Sequence, residues 1–237
     1  MEKRDSGKRF IYKVKQGNQW VTKVNCILQN LRCGGKSRGG ARCRNRTVNG
    51  TGLCWQHLRK YKKLRVKTSR QGPGSGFGLF VEDRHNPGIV FQPGDEIIQY
   101  GGKKISRNEL IQRYGNRTGP YAIKDYNSAA TNNQTGIMPA TANRPEQTVF
   151  LPPYYAQYGY DAACERGIGA LVNHTNANQD PNAIISKCKR YFQNIEYTYY
   201  CIRATKNLFH DEEIIADYGG HYNVGAPTRV QFETRKK

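Results

Sequence analysis

The segment YDAACERGIGALVNHT, residues 160–175, carries the reading of this chain. It runs from Asp161-Ala162 to Asn173-His174-Thr175, Asn173 standing twelve residues on from Asp161. Taken alone, Asn173-His174 describes a hydrogen-bonded loop pair. His174 has no nucleophile beside it, and no credible Ser/His/Asp arrangement occurs in the chain. The pair gains meaning from the segments around it and from their order. Upstream stand GSGFGLF (74–80), FQPGDEIIQYGG (91–102) and YAIKDY (121–126). Downstream stand DPN (180–182) and CIRATKNLFHDEEIIADYGGHY (201–222).

Between these segments, short apolar runs alternate with turn residues: GLFV, GIVF, DEIIQY, YAIKDY, TVFL, AIISKC, IEYTYYCIRA and EEIIADY. Runs this short and regular predict a mainly β domain of small sheets. Only ISRNELIQRYG (105–115) has helical periodicity behind a serine cap. Residues 127–147 are polar and read as a surface insertion. Gly76-Phe77-Gly78 does not extend to a dinucleotide fingerprint, and GGKS at 34–37 lacks the upstream glycine of a phosphate loop, Asn30 standing there. No apolar run is long enough to span a membrane. The opening MEKRDSGKRF does not read as a signal peptide. The seven cysteines are therefore expected as thiols or metal ligands in a reducing compartment, rather than as disulfides.

Charge divides the chain. Residues 1–70 hold 20 Lys+Arg and 2 Asp+Glu, a net of +18; residues 71–237 hold 18 and 16, a net of +2. A basic front on a near-neutral back suggests an anchor for a polyanion joined to a working domain. Within the front, residues 10–31 carry two β-prone runs about Gly17-Asn18, a hairpin signal. Residues 58–70 are expected as a short basic helix leading into a linker, and QGPGSGFG marks the boundary. The expected organisation is a basic region over 1–70, a main domain over 71–222 and a tail over 223–237.

Cys33, Cys43, Cys54 and His57 are spaced x9, x10 and x2. Four such ligands suit tetrahedral zinc, and a Gly/Arg-rich segment with almost no apolar core needs a metal to fold. The run over about 32–58 resembles short Cys/His elements in proteins of large DNA viruses, which suggests a viral origin. Trp55 reads as a small core anchor, with stacking on a base as the alternative. Arg38, Arg42, Arg44 and Arg46 are candidates for phosphate contacts.

The ordered segments over residues 73–222 resemble the SET domain family of protein lysine methyltransferases. The resemblance rests on Gly76-Phe77-Gly78, on Gly94-Asp95 running to Tyr100-Gly101-Gly102, and on Asp161-Ala162 leading to Asn173-His174-Thr175. It continues with Pro181-Asn182 and closes with Ala204, Leu208, Glu212-Glu213-Ile214 and Asp217-Tyr218-Gly219. It implies a mainly β, β-clip-like fold of small sheets whose Asn-His and Asp-Tyr segments thread in a knot-like way. It implies S-adenosylmethionine as cofactor, held by Ser75, Gly76, Phe77, Gly78, Tyr121, Asn173, His174 and Tyr222. Tyr218 is the implied catalytic tyrosine, and Tyr100 and Ala216 line the implied lysine channel.

Some positions depart from the family pattern. Thr175-Asn176 stands for Ser-Cys, Ala170 stands for a common arginine, and no cysteine follows Cys201, so the family's tail zinc is absent. His221 and Tyr222 are candidates to cover the site instead. Ala216 replaces a bulkier aromatic, which leaves room for more than one methyl. The expected activity is lysine methylation on a histone or another basic nuclear protein. The basic front would bind nucleic acid and place the protein in the nucleus or on chromatin, the host nucleus if the source is viral. The competing class is a nucleic-acid-binding protein that keeps the fold only as a scaffold.

Overall fold

The computed structural model describes residues 9–27, 32–47, 52–72, 75–114, 122–125, 135–138, 147–150, 158–164, 167–175, 179–192, 195–218 and 228–233. Strands β1 (Arg9–Gln16) and β2 (Gln19–Ile27) form the hairpin expected about Gly17-Asn18. Helix α1 (Trp55–Lys62) follows the Cys/His segment. It ends at Lys63, whose left-handed φ of 54° turns its N–H back to the Arg59 carbonyl.

The basic helix expected over 58–70 is therefore corrected at both ends: it begins earlier, and Leu64–Thr68 is strand β3. Alternation explains the strand, since Leu64 is buried while Arg65 faces solvent. β3 pairs antiparallel with β4 (Phe77–Val81) across the Gly/Pro-rich turn, Leu64 opposite Val81 and Thr68 opposite Phe77.

The remaining strands are β5 (Glu96–Gln99), β6 (Lys103–Ser106), β7 (Ala122–Asp125), β8 (Thr135–Met138), β9 (Gln147–Phe150), β10 (Tyr158–Asp161), β11 (Asn173–His174), β12 (Ala183–Phe192), β13 (Ile195–Ala204), β14 (Glu213–Asp217) and β15 (Thr228–Glu233). The one helix expected in the main domain is α2 (Arg107–Tyr114), capped by the Ser106 hydroxyl accepting the Glu109 N–H at 3.2 Å. Of the apolar runs, GIVF contributes only the bridge Phe91 to Leu208. β8, inside the polar insertion, pairs with β9, which begins at the insertion's last residue.

The result is the mainly β arrangement of small sheets that the sequence predicts, behind a Cys/His segment. The largest sheet runs β3-β4-β14-β12-β13-β5, with β11 also on β14; smaller sheets are β15-β1-β2, β6-β10-β7 and β8-β9. β11 and β12 both run parallel to β14, Asn173 opposite Ile215 and Ala183 opposite Ala216. The Asn-His and Asp-Tyr segments thus lie side by side, 42 residues apart in sequence from Asn173 to Ile215. The chain over 219–227 lies outside the described residues, so the expected threading is not described.

One apolar core runs beneath the large sheet and includes Leu79, Val81, Ile98, Tyr100, Ile202 and Ile214. Leu58 of α1 and Leu64 are fully buried in the same core, so the Cys/His segment is docked onto the main domain. Asp161 fixes α2 against β10. It is buried and accepts hydrogen bonds from Arg113 Nη1 at 2.6 Å, the Tyr114 hydroxyl at 2.9 Å and the Ala163 N–H at 2.8 Å. Burial and the Asp161 charge push the Tyr114 hydroxyl well above the usual phenol range, which keeps it a donor.

The expectation for the cysteines is corrected. Cys26 is joined to Cys164 and Cys188 to Cys201 as disulfides, and only Cys33, Cys43 and Cys54 remain as thiols. Cys26 and Cys164 are 138 positions apart, a pairing that spacing cannot reveal. Among the described residues, no helix is long and apolar enough to cross a membrane.

Candidate functional site

The four ligand candidates come together. Cys33, Cys43, Cys54 and His57 are all buried, with their ligand atoms within 4.8 Å of one another. A tetrahedron with zinc–sulfur bonds of about 2.3 Å has edges of about 3.8 Å, so the cluster needs little adjustment to close on an ion. Two short bridges, Arg32 to Arg46 and Lys36 to Arg42, fold the loop around it.

The surroundings favour charged ligands. Gly35 and Cys54 donate backbone N–H bonds to Cys33 Sγ at 3.3 and 3.2 Å, and Asn45 N–H donates to Cys43 Sγ at 3.4 Å. His57 Nε2 lies 2.8 Å from the Lys36 carbonyl and donates to it, which leaves Nδ1 bare, 3.3 Å from both Cys33 Sγ and Cys54 Sγ. A ligand histidine held by a carbonyl on its far nitrogen is the usual support for zinc. Burial opposes ionisation of the Cys54 thiol, but hydrogen bonds from the His57 backbone, Cys33 and Asn45 work against it, and the thiol is lowered to about 6. A Cβ on Gly35 would lie 2.5 Å from the His57 ring, so only glycine lets the loop pass there. The residues present fit a structural zinc.

Two sequence readings in this segment change. Trp55 is 59% exposed and is not a core anchor, because the helix turns His57 and Leu58 inward instead. Arg42 is committed to the loop, Nε donating to the Cys33 carbonyl and Nη2 to the Arg32 carbonyl, both at 3.2 Å. Arg32 closes the reciprocal pair on the Cys43 carbonyl at 3.0 Å.

The second constellation lies where β4, β11 and β14 meet. Asn173 Nδ2 donates to the Phe77 carbonyl at 3.3 Å and to Glu213 Oε1 at 3.1 Å, tying the Asn-His segment to the G-x-G turn. Glu213 is buried and also accepts from the Ser69 hydroxyl and the Arg70 N–H, both at 2.7 Å. A Cβ on Gly78 would sit 2.2 Å from Glu213 Oε1, so glycine is what lets β4 approach the carboxylate. Next to this junction Ser75 is half-buried and Gly76 and Phe77 are exposed, and a Cβ on Gly76 would meet nothing within 4 Å.

His174 and Tyr218 are brought together across the parallel pairing. Their ring centroids are 5.2 Å apart, and the Tyr218 N–H donates to His174 Nδ1 at 3.2 Å. That bond makes Nδ1 the bare nitrogen, so the 3.3 Å approach of the Ala216 carbonyl to it is a contact without a proton. The Tyr218 hydroxyl donates to the Val172 carbonyl. Ala216 is fully buried, and Tyr100 is buried with its N–H on the Tyr200 carbonyl at 2.9 Å. Gly169 allows the turn before Asn173 to press on this strand end; a Cβ there would lie 2.6 Å from the Gln99 carbonyl.

Tyr121, Tyr222 and His221 lie outside the described residues. Sequence reading missed Glu213 as the junction and Val172 as the acceptor for Tyr218. Glu213 had a signal in the Glu212-Glu213 pair; Val172 acts through its carbonyl, which no side chain announces.

No family model matches the chain, and no curated protein matches it. Among solved structures, the chain is similar to Polycomb Repressive Complex 2 of Chaetomium thermophilum, at 16% identity and a TM-score of 0.40, covering 84% of this chain and 19% of that one. A form described as autoinhibited and bound to S-adenosylmethionine matches at 17% identity and a TM-score of 0.39, covering 77% and 17%. A humanized mutant of the same complex bound to the inhibitor GSK126 matches at 18% and 0.41, covering 74% and 17%. The chain thus spans less than a fifth of the length of these structures.

Proposed function

We propose that this chain is a protein-lysine N-methyltransferase that uses S-adenosylmethionine. The observation that carries the reading is the junction of Asn173-His174 with the G-x-G turn on one side and Tyr218 on the other. Three of the segments that resemble the SET family, the G-x-G turn, the Asn-His segment and the strand from Glu213 to Tyr218, are joined there by hydrogen bonds rather than lying scattered.

The cofactor, when bound, supplies an electrophilic methyl on a sulfonium. Ser75, Gly76 and Phe77 offer backbone groups at an accessible rim, with open space beside Gly76; Asn173 stands at the same rim, and Gly78 packs against Glu213 behind it. These residues suit the amino acid end of such a molecule, with Tyr121 and Tyr222 assigned to it by resemblance alone. The chain's own tasks are alignment and deprotonation. The substrate amine must present its lone pair in line with the departing sulfur, so positioning dominates the rate. Its ammonium must first lose a proton to water, which an apolar tyrosine-lined channel favours by desolvating the charged form. Tyr100 and Ala216 line that channel in this reading. Tyr218 is the catalytic tyrosine, held by the Val172 carbonyl on its hydroxyl and by His174 on its backbone.

The proposed substrate is a histone or another basic nuclear protein, and the proposed site of action is the nucleus or chromatin, of the host if the source is viral. Structural zinc belongs on Cys33, Cys43, Cys54 and His57. The proposed organisation is the basic region 1–70, the methyltransferase domain 71–222 and the tail 223–237. The charge of the first region favours a nucleic-acid tether, and it also supports the second reading, a nucleic-acid-binding protein on a silent scaffold.

Methyl transfer from labelled S-adenosylmethionine to purified histones and nucleosomes, with Tyr218→Phe as control, separates the two. Incorporation that falls on the order of a hundredfold in the mutant supports the enzyme. Absence of cofactor binding by the unmodified chain selects the scaffold.

A further inference from the structure

We propose that the solvent face of α1 is a binding site for single-stranded nucleic acid, with Trp55 as its base-stacking platform. The helix is two-sided. His57 and Leu58 point inward, to the metal cluster and to the core. Outward, Trp55, Arg59 and Lys62 stand in one row at i, i+4 and i+7, with Gln56 and Lys60 in the next. Trp55, Gln56, Lys60 and Lys62 are exposed.

Trp55 is 59% exposed although a buried position for Leu58 lies three residues on. Its indole serves neither the core nor the metal cluster. Tyr61, the other exposed aromatic of the helix, is already occupied, stacked on the His57 ring at 5.1 Å and 15°. That leaves one aromatic plane open to a ligand. The platform is held firmly, since Cys54 and His57, on either side of Trp55 in sequence, are both cluster ligands. A base stacking there orders little that is not ordered already.

The charge around the plane selects a polyanion. No acidic residue occurs between Asp5 and Glu82. Glu82 is buried and is approached by Arg84 at 2.9 Å and by Arg59 and Arg65 at 3.8 Å each, so cations outnumber it locally. Asn45 Nδ2 donates to Gln56 Oε1 at 3.1 Å, which docks residues 44–46, and with them exposed Arg44, against the first turn of the helix. Cations flanking an open indole match a strand whose bases are free to leave their stack; in a duplex the base faces are covered. The site stands independently of methyl transfer.

The test uses the full zinc-loaded chain and fluorescein-labelled oligothymidylate, oligouridylate and a mixed-sequence duplex of equal charge, read by anisotropy. The chain has two tryptophans, so a Trp20→Phe background leaves Trp55 as the sole indole reporter. Single strands should bind more tightly than duplex and quench Trp55. Trp55→Ala should weaken single-strand binding about tenfold to a hundredfold, with zinc content unchanged, and Trp55→Phe should restore most of it. Lys60→Ala should lower the salt slope by about one without changing the quench. The DNA and RNA arms then decide which sugar is preferred. Equal affinity of Trp55→Ala and the unmodified chain for single strands, or tighter binding of duplex with no quench, would overturn the proposal and leave only electrostatic adhesion.

Discussion

Glu213 joins Ser69, the Arg70 backbone and Asn173, and it lies against Gly78. A carboxylate can accept from all three donors, whereas an amide presents its own N–H groups to one of them. Glu213→Gln should therefore weaken S-adenosylmethionine binding, read by titration calorimetry, and lower stability by about 1–3 kcal/mol in denaturant unfolding. Unchanged affinity would detach the junction from the cofactor site. Nearby, hydrogen bonds from Lys67 and then Arg70 hold the Asp211 carboxyl down to about 2. A depressed carboxylate stabilises the fold above its unfolded pKa of about 3.9 and loses that contribution as pH falls through the folded value. The stability gap between the unmodified chain and Asp211→Asn should close between about pH 4 and pH 2 in acid unfolding curves. The gap should be small, because the side chain is 45% exposed and solvent screens the pair.

At the scale of elements, the Cys/His segment and α1 depend on each other. The segment has three buried thiols and a histidine where an apolar core would otherwise be, so a strong chelator should unfold it and release one zinc per cluster, measured by a colorimetric metal indicator. Release should be easier as pH falls, since protons compete for the thiolates. Leu58 then carries the consequence into the main domain, because it is fully buried in the shared core. Leu58→Ala should cost about 2–5 kcal/mol in a single cooperative transition. Two separate transitions would show instead that the segment folds on its own.

At the scale of the whole molecule, the two ends of the chain share a sheet: β15 pairs with β1, Val230 opposite Tyr12. The hairpin packs Tyr12 and Val24 with Leu110 and Tyr114 of α2, and Cys26 ties it to Cys164 just beyond Asp161. Closing so long a loop restricts the unfolded chain, so Cys26→Ser should lose about 2–4 kcal/mol in thermal unfolding, and reductant should destabilise the unmodified chain more than the variant, which has only Cys188–Cys201 left to reduce. What the sequence determined by itself was local. Alternation of apolar runs with turns set the strands, the serine cap set α2, and the x9, x10, x2 spacing set the Cys/His cluster, because each rests on neighbours within a few turns of chain. The order of the four motifs also pointed to one site, through a resemblance. Only the tertiary structure decided the rest. Trp55 faces outward because Leu58 takes the inward place. Arg42 turns to carbonyls that the loop would otherwise leave bare. Four cysteines pair across 13 and 138 positions. Glu213 receives donors from 143 and 144 residues away. These outcomes depend on which surfaces meet after the sheets assemble, and no spacing along the chain encodes that meeting.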